Sequence, residues 1–370
     1  MNILICYWGR KGGGAKYSEE LATNFSRLYP DSTSVSFSKN SEVFEAVRKL
    51  DAPCCHIETF NSVFSFCIRS FLLPFILFQL IRFVKKQKID IVMTGMGHVW
   101  TPFGVLFLRL AGVKHVIVIH DAFPHPGDLK FYYQMNLITA KFSDKIIVLS
   151  EHVKNILIKN HNISETNIIK STHGLLNYKG LKRDPKVFEN SPFILVFFGR
   201  ILEYKGISFL LEAFEYLEKK YDDIFLEIYG SGDLTSYRDQ FSRLNRVKIV
   251  NRWIHDDEVE NIFNKPCLNI TPYIEASQSG IIPVACSCGI PTICTDVGGL
   301  SEQVLDGRTG IIIKGKDVCR EIEESVEGLY NNRASCDLMS RNCSNYAQNT
   351  LEWEFICRRL YQDLENYYLN

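Results

Sequence analysis

Residues 197–214 read FFGRILEYKGISFLLEAF, and the order of residue types here decides the fold class. An apolar run that opens at Phe193 stops at Gly199, where glycine can turn the chain. Ile207, Leu210, Leu211 and Phe214 then recur at the spacing of one helix face. Arg200 and Lys205 fall between, at the carboxyl edge of a strand that feeds a helix. Open parallel sheets bind ligands at that edge. A guanidinium fork and an ammonium point charge suit a phosphate. Two solvated surface cations remain the plain alternative from these residues alone.

Outward from this stretch the alternation repeats. Strand-like runs sit at 3–8, 89–94, 115–119, 145–149 and near 167–170, and later at 193–198, 224–229, 247–250, 267–270 and 291–294. Between the two sets lies a polar stretch, NYKGLKRDPKVFENSP (177–192), with linker composition. Strands alternating with helical patterns imply an α/β fold with parallel sheets. The expectation is two doubly wound, Rossmann-like halves: an N-terminal domain over 1–176, a linker over 177–192 and a C-terminal domain over 193–351. The tail, 352–370, reads as an amphipathic helix.

Composition narrows the partners. Lys plus Arg and Asp plus Glu are 42 each in 370 residues. That balance gives no global electrostatic case for nucleic acid, so an anionic ligand needs a local basic cluster. The 12 cysteines show no disulfide or zinc-knuckle spacing: Cys54 and Cys55 adjoin, and Cys286 and Cys288 are one residue apart. Reduced thiols in a cytoplasmic protein are expected, and MNILICYW reads as a first strand and not as a leader. Ser70–Ile81 (SFLLPFILFQLI) is apolar but short of the about 20 residues a membrane span needs. Arg69 precedes it, and Arg82, Lys85, Lys86 and Lys88 follow. It is either a helix buried on the sheet or one lying in a membrane interface. A membrane surface is therefore carried as a partner, with a peripheral location at its inner face.

Two further stretches carry chemistry. WGRKGGGAK (8–16) follows a strand and opens a helix. Gly12, Gly13 and Gly14 let backbone approach a ligand, with the helix's first N–H groups facing an anion. The spacing is not Gly-x-Gly-x-x-Gly, which disfavours a nicotinamide dehydrogenase. PYIEASQSGIIPVACSCGIPTICTDVGGLSE (272–302) places Glu275 in a loop, where a carboxylate can accept bonds from sugar hydroxyls. Backbone N–H groups near Ser279 and Gly280 can meet a phosphate. His120, Asp121 and His125 lack metal-ligand spacing, so no metal is expected.

Together these pieces resemble glycosyltransferase family 4, the retaining family with a GT-B fold. The matching pieces are the glycine loop at 12–14, His120-Asp121, THG at 172–174, GRILEYKG at 199–206, YGSG at 229–232, NRWI at 251–254, and PYIEASQSG through DVGGLSE. They stand in family order over most of the chain. The resemblance implies two Rossmann-like domains facing a cleft, with the C-terminal helix crossing back to the N-terminal one. It implies that Arg200 and Lys205, next to Gly199, grip the donor diphosphate and that Glu275 lies beside the donor sugar. His120 would line the sugar side, and Gly12, Gly13 and Gly14 would close over the phosphates and acceptor. Trp253 and Ile254 would touch the nucleobase through backbone, and Ser279 and Gly280 would meet the donor. The implied activity is metal-independent and needs no cofactor. It is a hexosyltransferase-type transfer from a nucleotide-sugar donor to a saccharide or lipid-linked acceptor, in cell-surface polysaccharide or lipid-linked oligosaccharide synthesis. One departure stands out: Val284 occupies the place of the family's second glutamate, which binds ribose. That departure motivates an alternative, a catalytically inactive nucleotide-sugar-binding partner subunit.

Overall fold

A computed structural model describes residues 1–121, 123, 130–178 and 180–369; His125 lies outside them. The chain forms two compact units, Met1–Gly174 with Trp353–Asn370, and Leu175–Glu352. The first carries six strands: β1 (Ile3–Tyr7), β2 (Thr33–Phe37), β3 (Ile91–Met96), β4 (Lys114–Ile119), β5 (Lys145–Val148) and β6 (Ile168–Lys170). The second carries β7 (Phe193–Phe198), β8 (Ile224–Gly230), β9 (Val247–Asn251), β10 (Leu268–Thr271), β11 (Thr292–Thr295) and β12 (Gly310–Ile313). The strand orders are β2-β1-β3-β4-β5-β6 and β12-β11-β10-β7-β8-β9. All ladders are parallel, and the architecture is the α/β GT-B type expected from the sequence.

Both faces of each sheet are buried, which is why the strands read as near-continuous apolar runs. In β1, Ile3, Ile5 and Tyr7 point into a core shared with the helices Gly13–Leu28 and Trp353–Leu369 through Leu21, Phe25, Trp353 and Leu360. Leu4 and Cys6 point the other way, onto Leu73, Leu77, Leu80 and Trp100. The amphipathic tail thus becomes part of the first unit. In the second unit, Leu195 and Phe197 of β7 meet the Ile207–Lys220 helix through Leu210, Leu211 and Phe214.

Two strands escaped the sequence reading. β2 (TSVSF) is built half of hydroxyls: Ser36 donates to the Cys55 carbonyl (2.7 Å), and Thr33 to the Phe25 carbonyl (3.1 Å). β12 is only four residues long. The described residues of the polar stretch 177–192 form no helix or strand, yet the stretch is built onto the second unit. Phe188 is buried in that core, its amide donates to Asp337 (2.8 Å), and the Lys186 amide donates to Ser340 (2.6 Å).

Each strand order reverses once, between β1 and β3 in the first sheet and between β7 and β10 in the second. Loops leaving the sheet at such a reversal diverge to opposite faces and open a crevice. In the second unit those loops are 199–206 and 272–280; in the first they are 8–12 and 97–100.

Candidate active site

The loops after β7 and β10 carry Arg200, Lys205 and Glu275 and are fastened to each other. The Ile274 amide donates to the Tyr204 carbonyl (2.8 Å). Gly206 has φ 64°, and a Cβ there would lie 1.9 Å from the Pro272 carbonyl oxygen, so backbone rests on backbone. Gly230, at the end of β8, has φ 146°, and a Cβ would lie 1.7 Å from the Gly199 carbonyl oxygen. Only glycine fits either contact.

Two tyrosines set the cations. Lys205 Nζ stands 3.6 Å from the centre of the Tyr273 ring and 5.0 Å from that of Tyr204. An Arg200 Nη donates to the Tyr204 hydroxyl (3.4 Å). Arg200 is exposed and Lys205 half-buried, so both can reach an anion, while Tyr204 and Tyr273 are buried beneath them. Burial pushes the Tyr273 phenol up to about 12, opposed by its bond with Ser279, so it stays neutral under the ammonium. The sequence reading named the cations but missed both tyrosines, although Tyr204 lies inside the quoted GRILEYKG.

Glu275 is exposed at the tip of the β10 loop. The loop is pinned at its base: Thr295 Oγ1 donates to the Tyr273 carbonyl (2.6 Å), and Gly299 N to the Ala276 carbonyl (3.2 Å). Ser279 is held by a side-chain amide, its N–H donating to Gln303 Oε1 (2.7 Å) while Gln303 Nε2 donates to its carbonyl (2.9 Å). The Ser279 amide, proposed from sequence for a phosphate, is therefore already engaged. Gly280 opens the short helix Ile281–Ser287. Val284, in that helix, is fully buried among Val196, Tyr229, Ile262 and Phe263. A side chain there faces core, so the missing carboxylate is not simply a residue swap at an open site.

At the end of β9, Asn251 braces the β8 loop by exchanging both amide bonds with Gly232 (3.0 Å each). Trp253 is exposed, Ile254 packs partly against the core, and Arg252 closes the turn with a two-pronged pair to Glu258. The structure thus brings Arg200 and Lys205 together on Tyr204, with the Glu275 loop alongside. Trp253 and Ile254 follow β9, two strands from β7.

In the first unit, Gly12 caps the Gly13–Leu28 helix. Its amide donates to Glu42 (2.8 Å), so an acidic side chain already answers the helix N-terminus. Gly13 is exposed; Gly14 is buried, and a Cβ there would sit 2.2 Å from the Met96 sulfur. His120, after β4, is buried edge-on to Tyr17 at 4.6 Å. Its Nε2–H donates to the Gly95 carbonyl (2.9 Å), which fixes the tautomer because a carbonyl only accepts. Burial holds its pKa down, partly opposed by the Gly95 bond and by Asp121. His173 is also buried, its pKa pulled down to about 4 by burial and by His120. Among the described residues, no three His, Cys, Asp or Glu side chains gather as a metal site, and all twelve cysteines are free thiols.

Comparison with known proteins agrees with this architecture. Residues 11–169 match the family model described as Glycosyltransferase Family 4, and residues 192–332 the model described as Glycosyl transferases group 1. An uncharacterized glycosyltransferase of Methanocaldococcus jannaschii is 23% identical, covering 76% of this chain and 78% of its own. The capsular polysaccharide biosynthesis glycosyltransferase CapM of Staphylococcus aureus is 24% identical over 64% of each chain. Among solved structures, Anabaena HepE in complex with UDP superposes with a TM-score of 0.76 at 16% identity, covering 99% of this chain and 100% of its own.

Proposed function

The chain belongs to the family 4 and group 1 glycosyltransferases of GT-B type, and from that premise we propose a retaining sugar transfer from a nucleoside-diphosphate sugar to a hydroxyl acceptor. The observation that carries the proposal is the pair of cations, Arg200 and Lys205, seated on Tyr204 at the reversal point of the second sheet. As the glycosidic bond to the diphosphate breaks, negative charge grows on the β-phosphate. Cations already held in place stabilise that charge without reorganising. Because side chains supply the positive charge, the proposal needs no metal and no cofactor. The Anabaena neighbour was solved with UDP and with UDP-glucose, which supports a donor of this class.

Glu275 is proposed to accept bonds from the donor sugar's hydroxyls, with Gly199, Gly280 and the Ser279 region lining the phosphates and Trp253 and Ile254 near the base. A phosphate at Ser279 N requires Gln303 to yield its bond. His120, kept neutral by burial, is proposed as a hydrogen-bonding group on the sugar side and not as a cation. Gly12, Gly13 and Gly14 are proposed to bind the donor, closing over its phosphates and the acceptor. The acceptor hydroxyl attacks the anomeric carbon on the face the diphosphate leaves, and the departing phosphate oxygen takes its proton. The transferred sugar is proposed to be a hexose. The CapM likeness supports a cell-surface polysaccharide or lipid-linked oligosaccharide product.

A second reading, an inactive partner subunit that keeps the donor site, is favoured by one observation: Val284 is core. A thermal-shift screen of UDP-, GDP- and ADP-sugars, followed by turnover of the donor that raises the melting point, separates the two. Stabilisation with release of the nucleoside diphosphate supports the transferase. Stabilisation without release on any acceptor supports the partner subunit, and a flat screen overturns both.

A further inference from the structure

Among the described residues, 16 of the 26 exposed large hydrophobic side chains lie between residues 63 and 142. All but Leu72 and Phe123 sit on the helices Val63–Phe71, Leu73–Lys86, Thr101–Leu110 and Lys130–Phe142. The Leu73–Lys86 helix shows the pattern most clearly. Leu73, Ile76, Leu77, Leu80 and Val84 are buried against the sheet. On the other side Phe75 and Phe78 stand 61% and 56% exposed, Arg82, Lys85 and Lys86 continue the same stripe, and Phe71, 85% exposed, ends the preceding helix. Phe103, Phe107 and Leu110 repeat the apolar stripe on the neighbouring helix. An outer face this apolar is far from what a monomer in water needs.

We propose that this outer face of the first unit docks on the surface of an anionic lipid bilayer. Charge selects the occupant. From residue 59 to residue 120 the sequence holds one acidic residue, Asp90, against Arg82, Lys85, Lys86, Lys88 and Arg109, with Arg69 and Lys114 paired to Glu58 and Asp144 outside that range. Asp90 is half-buried and already engaged, accepting from the Asn2 amide (2.7 Å) and the Tyr368 hydroxyl (2.8 Å). A second copy docking by two-fold symmetry would set this cationic surface against itself, whereas anionic headgroups complement it. Phenylalanines leading into lysines along one stripe match a helix lying in the interface, with rings at the acyl boundary and ammonium groups among phosphates.

The helix lies on the membrane and does not cross it. The Val63–Phe71 and Leu73–Lys86 helices are together apolar enough for a span but are bent by 60°. The inner face of the second is committed to the core, so it cannot leave without exposing Leu77 and Leu80. The docking face also runs into a lipid-compatible recess. An open pocket of about 380 Å³ is lined by Phe60, Val63, Phe66, Val99 and Tyr132, with Arg10 and Asn61 at its polar end. Arg10 and Asn61 also line the next pocket, with Lys11, Lys39 and one carboxylate, Glu42. Taken with the proposed transferase reading, on which this last point rests, an anionic lipid-linked acceptor suits these adjoining pockets.

The test is co-sedimentation of the full chain with vesicles of phosphatidylcholine alone and of phosphatidylcholine with phosphatidylglycerol. It reads no turnover, so it stands or falls separately from the transferase reading. Wild type should pellet with the anionic vesicles and not with the neutral ones, with binding that weakens as salt rises. The triple variant R82Q/K85Q/K86Q should lower the partition coefficient about 100-fold, from the roughly fivefold each basic residue contributes near an anionic surface. F71S/F75S/F78S should abolish pelleting with an unchanged melting temperature, because these rings are exposed. Equal pelleting with neutral vesicles overturns the proposal. So does no pelleting at all, or a concentration-dependent dimer in light scattering that the Phe substitutions dissolve.

Discussion

Replacing Lys205 by alanine tests the charge assignment most sharply, because two effects of different size can be separated. The structural effect is small. Lys205 is half-buried, and its ammonium stands over the Tyr273 ring at 3.6 Å. Losing a partly exposed cation–π contact costs about 1 kcal/mol. For a unit the size of Leu175–Glu352 that lowers the melting temperature by roughly 2–4 °C. The catalytic effect is large. A cation about 4 Å from a phosphate oxygen is worth about 4 kcal/mol at an effective dielectric of 20. Partial exposure of Lys205 trims this toward about 3 kcal/mol, or roughly 100-fold in turnover. The assay is release of nucleoside diphosphate from the donor identified by thermal shift, at saturating and limiting donor. Lys205→Ala should lower kcat, while Lys205→Met, which keeps the stem over Tyr273, should lower kcat equally with less loss of melting temperature. A kcat within threefold of wild type in both variants refutes the reasoning.

Three other substitutions or conditions probe the frame. Val284→Glu puts a carboxylate into a fully buried position and should destabilise the chain by roughly 3 kcal/mol in urea unfolding. A gain in donor affinity at unchanged stability would contradict the core placement. Gly230→Ala, where φ is 146° and a Cβ meets the Gly199 carbonyl at 1.7 Å, should cost roughly 3 kcal/mol or more; unfolding indistinguishable from wild type would show that the loops are not clamped there. Acid should weaken the first unit selectively. Burial holds His98 and His115 down at about 3 and His173 at about 4. The unfolded chain therefore binds more protons below pH 6.5, and stability falls as pH drops from 6.5 toward 4. Between pH 7 and 5 each of these histidines contributes a loss of about 2 kcal/mol. Hydrogen exchange in peptides of the first unit should accelerate over that range; equal protection at both pH values would refute it.

Much of the frame was legible because parallel strands buried on both faces announce themselves. FILVFF of β7 and KHVIVI of β4 admit few other readings. The cations were legible for a different reason: Arg200 and Lys205 follow a strand directly, so their place at the sheet edge follows from chain order. What escaped depends on partners distant in sequence. β2 hides because Ser36 finds Cys55, 19 residues on, and accepts from the Trp8 indole (3.3 Å). The Ser279 amide looked open until Gln303, 24 residues on, took it, and Gly12 until Glu42 took it. Tyr273 under Lys205 joins two loops that only the sheet order makes neighbours. The Ser70–Ile81 stretch was ambiguous for a real reason: one side of that helix is core, the other an uncovered aromatic stripe. Val284 was readable as a departure, but not as a core residue.

The most direct measurement is a crystal structure of the chain soaked with the sugar nucleotide that gives the largest thermal shift. The account predicts electron density for the two phosphates at the ends of β7 and β10, with phosphate oxygens within hydrogen-bond reach of Arg200 and Lys205. A nucleotide ordered elsewhere on the molecule, with both side chains still resting on Tyr204 and Tyr273, would contradict it.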